Sequence, residues 1–435
     1  MVRYSYSEAK CTHPRPSGLR DQRKAMEWVH RFIGDFGGNP SNITLFGQSS
    51  GAADIFCHLL SSENESRPLF QRAIIQSAII EHNPPDVAGA GWHLSRVMSA
   101  LHVSTVDQLR LVEPEKLVAF GQSMRATDDG VFFRRGWKEC FLPETVHHDH
   151  PRVLSSFLNT DHRICRSASA LQLPANLQPL IIGDCSYDSL LWLRPASMWT
   201  SDGVVRRLKA VCQSLAKASK LLRAYDISSH TTEEEIVDRV LELINDARIA
   251  WPTDCVAQSA KRERGGRGVW RYVFDQEGPS RGIPHHAADL IYLFDNMPLP
   301  SSAPSSSSSA VVETFCDGPY DAFDDDEVVD LKFQSMFGVS EADRRPIPAV
   351  DEWSYARVRD SIQDRWIAFA YGEAPWSEDK VFVFGPEGET GERSSSIFEG
   401  RRRRAVWKEA LEPLGMELVQ KVGKELSRGP PLSRE

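Results

Sequence analysis

The segment Ile43-Thr44-Leu45-Phe46 followed by Gly47-Gln48-Ser49-Ser50-Gly51 constrains this chain most. The first four residues form a short apolar, β-favouring run, the mark of a buried strand. A serine flanked by glycines follows, residues 50 to 60 read as a helix, and Ala73-Ile74-Ile75 reads as the next strand. This alternation predicts a parallel sheet covered by helices. The GxSxG spacing fits a strained turn between strand and helix. There the serine points out of the sheet, and Gly47 and Gly51 come so close that side chains are expected to clash. The backbone N–H of Ser50 would then lie at a helix N-terminus, where it can stabilise an oxyanion. A serine capping a helix after a tight turn would explain the same five residues without chemistry. The position between a predicted strand and a predicted helix favours a nucleophile.

The same pattern continues along the chain. Residues 18 to 36 read as a helix, with Leu19, Met26, Val29, Phe32 and Ile33 at helical spacing, and Gly37-Gly38-Asn39-Pro40 breaks it. Further strands are predicted at Pro179 to Gly183, Val269 to Phe274 and Val381 to Phe384. A helix is predicted from Glu233 to Ile249, opened by Thr231-Thr232-Glu233-Glu234 as a capping box. The serine- and proline-rich stretch from Pro298 to Ser309 and the acidic run Asp324-Asp325-Asp326-Glu327 mark residues 298–330 as a flexible insertion within one domain spanning 1–435.

The net charge of -9 argues against nucleic acid as a partner. No run approaches the roughly 20 apolar residues of a membrane span. The start, Met1-Val2-Arg3-Tyr4-Ser5-Tyr6, lacks the apolar core of a signal peptide, so the chain as written is expected in the cytosol. Eight scattered cysteines show no metal-ligand spacing and are expected to be mostly buried or free thiols; no metal or cofactor is expected. Asn64-Glu65-Ser66 is a glycosylation sequon, relevant only to a secreted chain.

Gly18-Leu19-Arg20-Asp21-Gln22, Trp28-Val29, Phe36-Gly37-Gly38-Asn39-Pro40 and Thr44 to Gly51 together resemble the type-B carboxylesterase family, which includes the cholinesterases. Trp366-Ile367-Ala368-Phe369-Ala370, Pro375-Trp376, and Gly400-Arg401-Arg402-Arg403 with Trp407 resemble it as well. The resemblance implies an α/β-hydrolase fold with a mostly parallel central sheet flanked by helices. It also implies a catalytic triad in the chain order serine, acid, histidine. Pro284-His285-His286-Ala287-Ala288-Asp289 resembles the family's histidine segment and places the base at His286, with Ala287 where glycine is usual; His285 is the alternative. Leu180-Ile181-Ile182-Gly183-Asp184-Cys185-Ser186-Tyr187-Asp188 resembles the segment carrying the acid and places it at Asp188, where the family usually has glutamate. Asp184, at the same strand end, competes. The implied chemistry is hydrolysis of a small carboxylic ester through an acyl-enzyme.

The sequence departs from the family in two ways. It contains no HGGG-like run, the glycine-rich loop that supplies two further oxyanion donors in the family, so it is expected to lack the N-terminal strands of its fold. Gln48 and Ser50 stand where the family often has glutamate and alanine, and Gln48 should weaken any preference for cationic substrates. An inactive hydrolase-fold protein with a binding or adhesion role is the alternative; a serine peptidase would use the same triad. Arg401 to Arg404 is read as the solvated beginning of a helix, and Trp192 as core, with a place in an acyl pocket as the second option.

Overall fold

A computed structural model describes residues 17–121, 126–141, 177–279, 281–296 and 350–431. The insertion read at 298–330 lies outside the described residues, as do Cys11, Cys165 and Cys316. The five described cysteines are free thiols.

The runs rich in β-branched and aromatic residues form the sheet. Its strands are β1 (Thr44–Gln48), β2 (Arg72–Gln76), β3 (Leu180–Cys185), β4 (Val269–Phe274), β5 (Val381–Phe384) and β6 (Thr390–Arg393). They lie side by side in sequence order. The first five are parallel, and β6 returns antiparallel on β5. β6 was not anticipated: Thr390-Gly391-Glu392-Arg393 has no apolar residue, because an edge strand open to water need bury neither face.

Both faces of the central strands are covered, so these strands carry apolar residues without polar alternation. Ala73, Ile75, Leu180, Ile182 and Val269 face one core, shared with α2 (Ser50–Leu59), α3 (Glu233–Asn245), α4 (Trp251–Glu263) and α7 (Met416–Leu426). Ile74, Ile181, Trp270, Tyr272 and Phe274 face the other, closed by α5 (Ala288–Phe294) and α6 (Glu352–Ala370). Each such aliphatic or aromatic side chain, fully buried, contributes about 1.5–3 kcal/mol.

The predicted helices are present with shifted ends. α1 spans Ser17–Phe32, and a 3₁₀ turn at Ile33–Phe36 completes the stretch read as helical. Of its apolar stripe only Leu19 is buried; Met26, Val29, Phe32 and Ile33 are half-covered. α3 opens with a capping box between Thr232 and Glu235. It does not stop near Ile249 but passes through a π-turn at Asp246–Ala250 into α4. Pro252, at the start of α4, lacks the N–H a continuous helix would need, and the wider turn absorbs the mismatch.

One glycine limits how β3 and β4 can pack. A Cβ on Gly183 would lie 2.2 Å from the Tyr272 ring, which is fully buried. Gly183→Ala is therefore expected to destabilise the protein by about 1–3 kcal/mol through overpacking. Urea unfolding of the variant checks this, and an unchanged midpoint would contradict it.

Candidate active site

In a parallel sheet, loops from neighbouring strands meet at the C-terminal ends, and open α/β sheets bind ligands there. Gln48, Gln76, Gly183 and Tyr272 form one register row across β1 to β4. The residues that follow this row build the site.

Ser49 follows β1 with φ 58° and ψ -121°, a strained conformation for a residue with a side chain, and α2 begins at the next residue. Its N–H donates to the Gln76 carbonyl at 2.9 Å, and its carbonyl accepts from Ala53 N–H at 3.0 Å. This is the sharp strand-to-helix bend expected around Gly47 to Gly51. The expected role of the two glycines needs correcting. A Cβ on Gly47 would lie 2.9 Å from the Gly51 backbone, whereas one on Gly51 would meet nothing within 4 Å. The steric demand falls on Gly47, because the close approach brings its Cα against the backbone at Gly51 while the Cβ direction of Gly51 leads away. Ser50 is exposed at the start of α2.

The acid and base segments are brought together by backbone pairing. Tyr187 and His285 form an isolated parallel bridge, with Tyr187 N–H donating to the Pro284 carbonyl at 3.1 Å. The next residue on each side is Asp188 and His286. His286 Nδ1 and Asp188 Oδ1 are 2.6 Å apart, the Asp188 side chain is fully buried, and 9% of the His286 side chain is exposed. The second Asp188 oxygen accepts from Cys185 N–H at 3.0 Å. Ala287 adopts a left-handed conformation (φ 64°). That accounts for glycine being usual there; alanine costs roughly 1–2 kcal/mol in this region.

The two alternatives are engaged elsewhere. His285 Nδ1 bonds the His286 carbonyl at 2.7 Å, and burial pushes its pKa down. Asp184 is buried in ion pairs with Arg271 and Arg402. Among the described residues, His286 Nε2 is bonded to the Gln48 side-chain amide at 2.8 Å rather than to the Ser49 hydroxyl. The site thus holds Asp188, His286 and Gln48 in one hydrogen-bonded chain, with Ser49 next along the backbone from Gln48.

The contacts of Asp289 and the pairing of the arginine run had no clear signal in the sequence. Asp289 is fully buried and accepts from Gln76 Nε2 at 2.8 Å and from the Tyr272 hydroxyl at 3.0 Å. Burial raises its pKa against the pull of those donors. The arginine run also differs from expectation, since all four members are paired. Arg401 meets Asp275, Arg403 meets Glu242, and Arg404 meets Glu399 and Asp254. Arg402 enters the interior under the acid loop, donating to Ser186 Oγ at 2.9 Å and meeting Asp184 Oδ2 at 3.2 Å. Trp192 packs against the core, with Arg248 over its ring at 4.9 Å. A cavity of about 560 Å³ lies at the opposite end of the sheet, near the first residues of β4 and β5, and is lined by charged groups including Asp254, Lys261 and Arg404.

Five parallel strands with their loops meeting at the C-terminal ends, an antiparallel sixth at the edge, and a sharp serine bend define an α/β-hydrolase fold. Residues 14–317 match the carboxylesterase family, and the chain belongs to that family. It is 25% identical over 294 residues to Lipase 3 of Yarrowia lipolytica, covering 64% of this chain and 50% of that protein. It is 24% identical to the para-nitrobenzyl esterase of Bacillus subtilis, covering 64% and 52%. Over 62 residues it is 55% identical to the acetylcholinesterase of Danio rerio, 14% of this chain and 10% of that one. The chain thus spans about half the length of the longer-matching curated relatives, and a tenth of the acetylcholinesterase. A solved PNB esterase superposes with a TM-score of 0.54 at 17% identity, covering 90% of this chain and 69% of that one. EstA of Aspergillus niger gives 0.53 at 16%, covering 91% and 70%. No helix among the described residues is long and apolar enough to cross a membrane.

Proposed function

We propose that this protein hydrolyses small, neutral carboxylic esters through an acyl-enzyme on Ser49, with His286 as general base and Asp188 as its orienting acid. The observation that carries the reading is the 2.6 Å contact between His286 Nδ1 and the buried Asp188, at the strand ends where Ser49 sits on its bend. A carboxylate at Nδ1 accepts a hydrogen bond from Nδ1–H, which holds the proton on that nitrogen and leaves Nε2 as the acceptor, the tautomer a general base needs.

Ser49 Oγ attacks the ester carbonyl carbon while its proton passes to His286 Nε2. The Ser50 N–H, at the start of α2, donates to the developing oxyanion. Collapse of that intermediate breaks the C–O bond to the alcohol, which leaves with the proton from His286. Water then repeats the sequence on the acyl-serine, releasing the acid and restoring Ser49. Gln48 places an uncharged amide beside the nucleophile, which favours neutral over cationic esters. An inactive binding protein would have no need to keep a histidine paired with a buried carboxylate at the strand ends.

A fluorophosphonate probe tests this reading, because it reacts with activated serines only. The expected result is one covalent adduct per chain, mapped by peptide mass to Ser49 and absent from Ser49→Ala. A folded protein that takes up no probe, or takes it up equally after Ser49→Ala, would refute the assignment.

A further inference from the structure

We propose that Gln48 is a positioning residue that holds His286 in a resting state, occupying the ring nitrogen that must later receive the Ser49 proton. The inference rests on the proposed triad and adds a step that precedes its chemistry.

A neutral imidazole that donates from Nδ1 has a single acceptor site, the in-plane lone pair of Nε2. The Nδ1 side is fixed by Asp188 at 2.6 Å. The Gln48 Nε2 amide lies 2.8 Å from the remaining nitrogen, a normal hydrogen-bond length. The amide therefore donates and the ring accepts. With that lone pair engaged, the ring cannot accept the serine hydroxyl at full strength, and Ser49 stays a weak nucleophile.

The backbone makes this contact a consistent one. Gln48 is the last residue of β1, in register with Gln76 of β2, so the strand fixes its Cα. The side chain itself is only half-buried and leaves the ring by rotating about its own torsions. Ser49, the next residue, is held on its bend by Gln76 and Ala53. Nucleophile and latch are thus adjacent on one backbone and compete for one nitrogen. A glutamate here would have no N–H to donate to that lone pair. The single change from carboxylate to amide is what creates the latch.

Activation then requires displacement: an ester entering the site moves the Gln48 amide aside, and Nε2 passes to the serine hydroxyl. The device would suppress reaction of the uncharged serine with water-borne electrophiles until substrate fills the site.

The test uses Gln48→Met, which keeps side-chain length without a donor, alongside Gln48→Ala, both checked for an unchanged far-UV spectrum and melting temperature. With ¹⁵N-labelled histidine, and His286→Ala to assign the signal, the His286 Nε2 resonance is expected to leave its parent position in both variants, as a hydroxyl replaces the amide as the donor to that lone pair. Fluorophosphonate labelling of Ser49 is expected to become about fivefold faster, the factor corresponding to one ordinary hydrogen bond. An unmoved Nε2 signal would overturn the latch whatever the labelling does. A moved signal with labelling no faster than in the parent would overturn the resting-state role. Absence of labelling from the parent and both variants would overturn the hydrolase reading instead, a separate outcome because the nitrogen signal is read without any probe.

Discussion

Ser49→Ala is expected to lower kcat for a short-chain p-nitrophenyl ester by about a million-fold. Asp188→Asn is expected to cost about 10⁴-fold. The two effects have different origins. Alanine removes the atom that forms the covalent bond. Asparagine is isosteric with Asp188 and leaves the loop in place, since its carbonyl can still accept from Cys185 N–H as Asp188 does at 3.0 Å. It turns a donor toward His286 Nδ1, though, and so favours the tautomer with Nε2–H, which cannot accept the serine proton. Initial rates with purified, folded variants measure both. A Ser49→Ala enzyme that retained a substantial fraction of the parent rate would move the chemistry away from this site.

Arg402→Met is expected to lower stability by about 3–5 kcal/mol, the range for removing one partner of a buried ion pair. Only 8% of the Arg402 side chain is exposed. Burial by itself would lower its pKa, but Asp184, then Asp275 and Asp188, outweigh that and raise it. Methionine would fill much of the space while leaving the fully buried Asp184 dependent on Arg271 alone. Denaturant unfolding reads the loss directly. Adding Asp184→Asn to Arg402→Met should recover part of it, because the residual penalty is an uncompensated charge rather than a cavity. A loss below about 1 kcal/mol would mean that the cluster is solvated enough to tolerate the change.

The parts legible in the sequence were those set by local pattern. Ile43 to Phe46, Ala73 to Ile75 and Val269 to Phe274 carry enough β-branched and aromatic residues that strand was the consistent reading. β6 was missed because Thr390-Gly391-Glu392-Arg393 gains its conformation only by pairing with β5. At the site, the order serine, acid, histidine and the resemblance around each picked out Ser49, Asp188 and His286, and the structure joins the last two directly. Nothing local could reveal the Gln48 contact, which spans 238 positions along the chain. Nor could the charge pattern of Arg401 to Arg404 show that one of four adjacent arginines turns inward while its neighbours pair at the surface; composition alone made a solvated face the natural reading. Asp289 was noticed only as the acidic residue after His286, and its buried contacts depend on Tyr272 and Gln76 from two strands distant in sequence.

The strand that bears the serine has β2 as its one neighbour among the described residues. Phe46, at its middle, is 49% exposed and leans on Phe294. A ribbon held along one side can peel without disturbing the four remaining ladders, and such partial opening requires less free energy than melting the whole domain. On the proposed role of Ser49, esterase activity is therefore expected to fade at a lower temperature than the fluorescence of the buried tryptophans.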